Sequence, residues 1–151
     1  PASGAMGYGF PAAVAAAVLN PQRQVINVAG DGDFLMTGQE MATAMAQGVQ
    51  RLVCVVVDNG TYGTIRMHQE REFPGRVSGS DLANPDFAAM ARAFGWHAAT
   101  VADTAAFEPT FREALAAGKP ALIHVHLAAD VSTTRTTLTA LRAAAIQRAS
   151  E

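Results

Sequence analysis

Apolar and polar positions alternate along this chain between two kinds of segment. Gln24–Ala29 (QVINVA) is short and β-rich, and Asn20-Pro21 and Gly30 bound it, so it predicts a strand. Residues 52–57 (LVCVVV) are apolar throughout, as a strand covered on both faces should be. Trp96–Val101 and Ala121–Leu127 (ALIHVHL) predict two more strands. Between them lie helical stretches. Residues 10–19 (FPAAVAAAVL) carry Pro11 in the first turn, where a missing N–H costs little. Thr37-x-x-Glu40 reads as a capping box that opens a helix to about Gln47, with Gly48 just past its end. Further helices are expected over Thr64–Glu70, up to Phe94, over 104–117 and over 133–148. Asn84-Pro85-Asp86 reads as cap, first helical residue and acidic first turn of the helix that reaches Phe94. Residues 71–83 lack a period and read as a long loop. Strands alternating with helices predict an α/β fold: a parallel sheet with helices on both faces.

The 151 residues suit one domain, and half of them are hydrophobic, enough for a packed core. The net charge of −2, with no basic patch, argues against a nucleic-acid partner. No apolar run approaches a membrane span, and the N-terminus lacks the features of a signal peptide, so no membrane partner and a cytoplasmic setting are expected. The single cysteine, Cys54, lies inside the second strand and reads as a buried thiol. Residues 1–6 (PASGAM) read as a loop that runs straight into a motif, as expected of a domain taken from a longer polypeptide. Gly7 to Ala12 formally match the dinucleotide fingerprint GxGxxA. No strand precedes them, so that reading is set aside.

Two turns carry the chemistry. Gly30-Asp31-Gly32-Asp33 follows the first strand, and Asp58-Asn59-Gly60-Thr61-Tyr62-Gly63 follows the second. Both fall at carboxyl ends of parallel strands, where open α/β sheets bind ligands. If the two strands are neighbours, the Asp31 carboxylate and the Asn59 amide oxygen can reach one point. A backbone carbonyl of the Gly60–Tyr62 turn adds a third oxygen. A hard-oxygen set of this kind suits Mg²⁺, which often takes its remaining ligands from phosphate and water. The glycines let backbone N–H groups approach phosphate oxygens.

The pattern GDG, then roughly two dozen residues, then an Asn, resembles the diphosphate motif of thiamine-diphosphate enzymes. The segments GAMGYGFPAAVAAA, QVINVAGDGDF, QEMATAMAQG and VVVDNGTYGTIR are similar to the carboxyl-terminal, pyrophosphate-binding domain of the acetolactate synthase, benzoylformate decarboxylase and pyruvate decarboxylase family. The resemblance covers the chain to about Leu127. It implies thiamine diphosphate and Mg²⁺ as cofactors, with FAD left open, and a 2-oxo acid as substrate. The activity implied is an acetolactate-synthase-like carboligase or a benzoylformate-decarboxylase-like decarboxylase; a non-catalytic module that keeps the fold is the alternative. Mg²⁺ would be held by Asp31, the Asn59 side chain and the Thr61 carbonyl. Gly30, Gly32, Asp33, Tyr62 and Gly63 would contact or line the diphosphate. The Gly4 carbonyl would accept from the cofactor's 4′-amino group, and Met6 would be the wedge that bends the cofactor for C2 deprotonation. Thr64, Ile65 and His68 would line the substrate pocket, with His68 able to assist proton transfer. The Glu that activates the aminopyrimidine would come from the pyrimidine-binding domain of a second subunit, in a homodimer or homotetramer. The isolated chain is therefore expected to be inactive.

The sequence departs from the pattern in three places. Asp58 stands where the first Asn of the family pair is common, Asp33 where a small Ser is common, and Ile65 where pyruvate decarboxylases carry a catalytic Glu. An ionised Asp33 would repel diphosphate unless it points away, is protonated or is offset by the metal. Ile65 leans against the pyruvate-decarboxylase type. Arg66, Arg71 and Arg76 read as surface charges and His97 as structural. His124 and His126 share one face of the last strand, a spacing that suits metal, but no carboxylate or thiol partner is evident in the sequence.

Overall fold

In a computed structural model, which describes residues 3–131 and 135–149, four parallel strands form one sheet in the order β1-β2-β4-β3. The strands are β1 (Val25–Gly30), β2 (Leu52–Asp58), β3 (His97–Val101) and β4 (Ala121–His126). The helices are α1 (Gly9–Leu19), α2 (Asp31–Leu35), α3 (Met41–Ala46), α4 (Gly63–Glu72), α5 (Phe87–Ala93), α6 (Thr104–Ala116) and α7 (Leu138–Ala149). The expected α/β class, parallel sheet and helices on both faces are all present, and β1 and β2 are neighbours.

The chain divides into two units. The first holds the described residues up to Asp58 together with Asn84–His126; the second holds Asn59–Ala83 and the described residues from Leu127 onward. In the first unit β2 shows why an all-apolar strand was needed. Leu52, Cys54 and Val56 face one core with Phe10 and Val14 of α1, Phe34 of α2, Met41 of α3 and Phe87 of α5. Val53 and Val55 face another, against Phe107, Phe111 and Ala114 of α6. The edge strand β1 is covered on one face, where buried Asn27 donates to Cys54 Sγ, so on the other face Ile26 and Val28 are 51% and 67% exposed. In the second unit α4 packs against α7.

Three local expectations need correction. Thr37 does not cap a helix with its side chain: residues 38–40 form a 3-10 turn, α3 starts at Met41, and the Thr37 hydroxyl donates to the Gly7 carbonyl instead. Glu40 accepts from the Thr43 hydroxyl rather than closing a box. The segment after β1 is not a plain turn, because Asp31–Leu35 is already helical with Gly30 extended before it. The cap of α5 is Asp86, whose carboxylate accepts from the Ala89 N–H at 2.9 Å, while Asn84 is used elsewhere. Helix α7 begins at Leu138; the earlier start expected at 133 falls on residues outside those described. Gly48 does end α3, at φ +65° with the Val49 amide donating to Ala44.

Candidate functional site

Pairing of β1 with β2 sets Gly30 opposite Val57, so Asp31 and Asp58 leave the sheet at the same end. Both carboxylates are buried. One side chain joins them: the Asn84 Nδ2 donates to Asp31 Oδ2 and to Asp58 Oδ1, each at 2.7 Å. The Gly32 N–H donates to the other Asp31 oxygen at 3.0 Å. Asp58 Oδ2 lies 2.8 Å from His124 Nε2. Burial pushes the Asp31 carboxyl above the usual carboxylate range. The hydrogen bonds from Asn84 and Gly32 oppose this, and the nearby Asp58 adds to it. The Asn84 Oδ1 is buried and, among the described residues, meets no hydrogen-bond donor. A crowded carboxylate pair beside an acceptor oxygen fits a hard divalent cation.

The loop before α1 is fixed at Gly7. Its N–H donates to Asp33 Oδ1 at 2.5 Å and its carbonyl accepts from Thr37 Oγ1 at 3.0 Å. Gly7 has φ +80°, and an added Cβ would meet the Met36 Cβ at 3.0 Å, so only glycine suits this close approach. The Asp33 carboxylate is thus engaged by a backbone N–H of the loop that carries Gly4 and Met6. Met6 itself is 44% exposed.

The second unit holds the other half of the predicted set. Asn59 Oδ1 accepts from the Thr61 N–H at 3.1 Å and from its hydroxyl at 3.3 Å, a side-chain-closed turn. A Cβ at Gly63 would stand 2.9 Å from Asn59 Nδ2, so the turn closes against a glycine. The Tyr62 N–H donates to the Ser80 carbonyl, and the Gly60 carbonyl accepts from Leu82. The Tyr62 amide is therefore committed to the protein rather than to a phosphate, whereas that pairing does not use the Thr61 carbonyl. Thr64, Ile65 and His68 are exposed together on α4. Arg66, read as a surface charge, bonds Ser80 Oγ at 2.8 Å and pairs with Asp81.

Sequence reasoning missed Asn84, because its place before Pro85 mimicked a cap. It also missed the partner of the two histidines: Asp58 is the carboxylate that His124 and His126 lack in the linear sequence.

A family profile described as "Thiamine pyrophosphate enzyme, C-terminal TPP binding domain" matches residues 1–125. The chain belongs to this family. Its thiamine-pyrophosphate-enzyme relatives include the acetolactate synthase large subunit of Parasynechococcus marenigrum, 40% identical over 126 residues, covering 82% of this chain and 20% of that protein. The benzoylformate decarboxylase of Pseudomonas aeruginosa is 38% identical over 125 residues, covering 83% and 24%. Among solved structures, the thiamine diphosphate-dependent 4-hydroxybenzoylformate decarboxylase of Rhodococcus jostii superposes with a TM-score of 0.77 at 36% identity, covering 85% of this chain and 24% of that one. The chain thus spans about a fifth to a quarter of the length of these relatives. The family match ends before α7.

Proposed function

We propose that this domain holds Mg²⁺ and the diphosphate of thiamine diphosphate within an enzyme acting on 2-oxo acids, of the acetolactate-synthase-like carboligase type. The observation that carries the reading is the buried Asp31 carboxylate, held by Asn84 at the carboxyl end of β1 and displaced upward in affinity for protons. Such a group gains most from a divalent cation, which removes the cost of keeping a charge in a buried site. Asp31, the Asn59 side chain and the Thr61 carbonyl would hold the ion. Gly30, Gly32 and Gly63 would leave room for phosphate oxygens. When bound, the cofactor supplies a nucleophilic carbon and an electron sink.

The remaining roles belong to this chain's own residues. The Gly4 carbonyl would accept the aminopyrimidine N–H, and Met6 would set the bend, on a loop anchored through Gly7. Thr64, Ile65 and His68 would shape the 2-oxo acid pocket, with His68 moving a proton at its imidazole. The reading goes with a homodimer or homotetramer in which a partner subunit's pyrimidine-binding domain supplies the activating Glu, and with a cytoplasmic setting. Among the described residues no helix is long and apolar enough to cross a membrane. A decarboxylase acting on an aromatic 2-oxo acid is the second reading, favoured by the likeness to the two decarboxylases.

Titration calorimetry of thiamine diphosphate with Mg²⁺ into the enzyme carrying Asp31→Ala tests the proposal. The expected result is loss of Mg²⁺-dependent binding; unchanged binding removes the metal assignment.

A further inference from the structure

We propose that His124, His126 and Asp58 form a second metal site, for a borderline transition ion of the Zn²⁺ class. The parallel register of β2 and β4 sets Asp58 opposite His126, and His124, two residues earlier, lies on the same face. Asp58 Oδ2 is 2.8 Å from His124 Nε2 and 3.9 Å from His126 Nδ1. The two imidazole centroids are 4.1 Å apart. One ligand atom from each residue falls within 4.8 Å of the others. Tetrahedral ligands at about 2.0–2.1 Å from zinc lie about 3.3 Å apart, so small side-chain adjustments bring all three into range.

The donor set differs in kind from the all-oxygen set proposed for Mg²⁺. Two imidazoles and one carboxylate favour Zn²⁺, Co²⁺ or Ni²⁺ over Mg²⁺. His124 is buried, while the His126 side chain is 50% exposed, which leaves an entry path and room for water on the ion.

The plain alternative is a simple hydrogen bond between Asp58 and His124. In a neutral imidazole that arrangement puts the ring proton on Nε2 and leaves His124 Nδ1 buried with no hydrogen-bond partner among the described residues. Asp86 Oδ1 lies 3.8 Å from that nitrogen. With a metal ion on Nε2, the proton moves to Nδ1 and faces Asp86, the usual companion of a metal-bound imidazole. The ion would tie the carboxyl ends of β2 and β4 together. It would take Asp58 Oδ2 and leave Oδ1 to accept from Asn84.

The test is calorimetric titration of ZnCl₂, and visible absorption with CoCl₂, on the 151-residue chain without a histidine tag and with Mg²⁺ in excess. One equivalent should bind. His126→Ala, at a half-exposed position that leaves the core intact, should weaken binding about tenfold or more. Zinc should also shift the His124 and His126 ring ¹⁵N resonances. Equal binding by wild type and His126→Ala overturns the proposal, as do ring resonances that ignore zinc. Asp31→Asn should keep the zinc titration, which separates this site from the Mg²⁺ reading. Zinc binding lost in Asp31→Asn but kept in His126→Ala would place the ion at Asp31 and overturn it.

Discussion

Two buried carboxylates in this molecule are displaced in opposite directions. Asp31, in the sheet-bearing unit, is pushed up, first by burial, and a second carboxylate, Asp58, adds to the effect. Glu70, on α4 in the other unit, is pulled down to about 2, first by its hydrogen bonds from Arg142, with the Gly75 N–H as a further donor. One unit answers a buried negative charge with a guanidinium of its own. The other answers it with an amide and crowds a second acid beside it. The first arrangement serves the fold. The second disfavours the ionised carboxylate and fits the proposed cation site.

The sharpest way to break this contrast is Asp31→Asn. Mg²⁺-dependent cofactor affinity should collapse, while the melting temperature of the cofactor-free chain should rise at neutral pH. The sign follows from the upward shift. A carboxyl raised above its ordinary value near 3.8 supports the fold below that pH and loses that support as pH rises through its folded value. A variant less stable than wild type at pH 7 would defeat the contrast. Glu70→Gln should do the reverse, with a marked loss of stability at pH 7. The Glu70 contribution is fully present above about 4.5 and disappears as pH falls toward about 2, so urea midpoints of the two proteins should converge there. Parallel curves across that range would show that the pair does not stabilise.

Asn84→Ala should cost about 2–3 kcal/mol, since it removes two hydrogen bonds to charged groups, and it should also weaken Mg²⁺ binding. Denaturation that matches wild type would mean the bridge is incidental. The smallest effect is expected for Asp33→Ala, about 1–2 kcal/mol for one charge-assisted bond. Its clearer signature is faster hydrogen exchange at the Gly7 amide with the Gly48 amide unchanged. Equal exchange at Gly7 would show that Asp33 does not anchor the loop.

The sheet was legible because its strands leave little choice. Six consecutive apolar residues at 52–57 can be satisfied only between two layers, and the glycines that follow mark where the chain leaves the sheet. Helix starts were less legible. Thr37 and Asn84 both carry capping side chains in capping positions, yet each is drawn off by a partner far along the chain, Gly7 for one and the Asp31–Asp58 pair for the other. A local rule sees only local competitors. The same limit hid Asp58 from the two histidines: they are 66 residues apart from it or more in sequence and meet only through strand register. The glycine-flanked Asp31 and Asn59 stood out because their surroundings are written in adjacent residues.

Gly7 is gripped at both of its backbone polar groups, by a side chain from α2 and by one from the turn before α3. Positions 33 and 37 are therefore handles on the tip of the preceding loop, although neither belongs to it. The environment of Met6 can therefore be altered without touching Met6, through the two side chains that hold its neighbour Gly7.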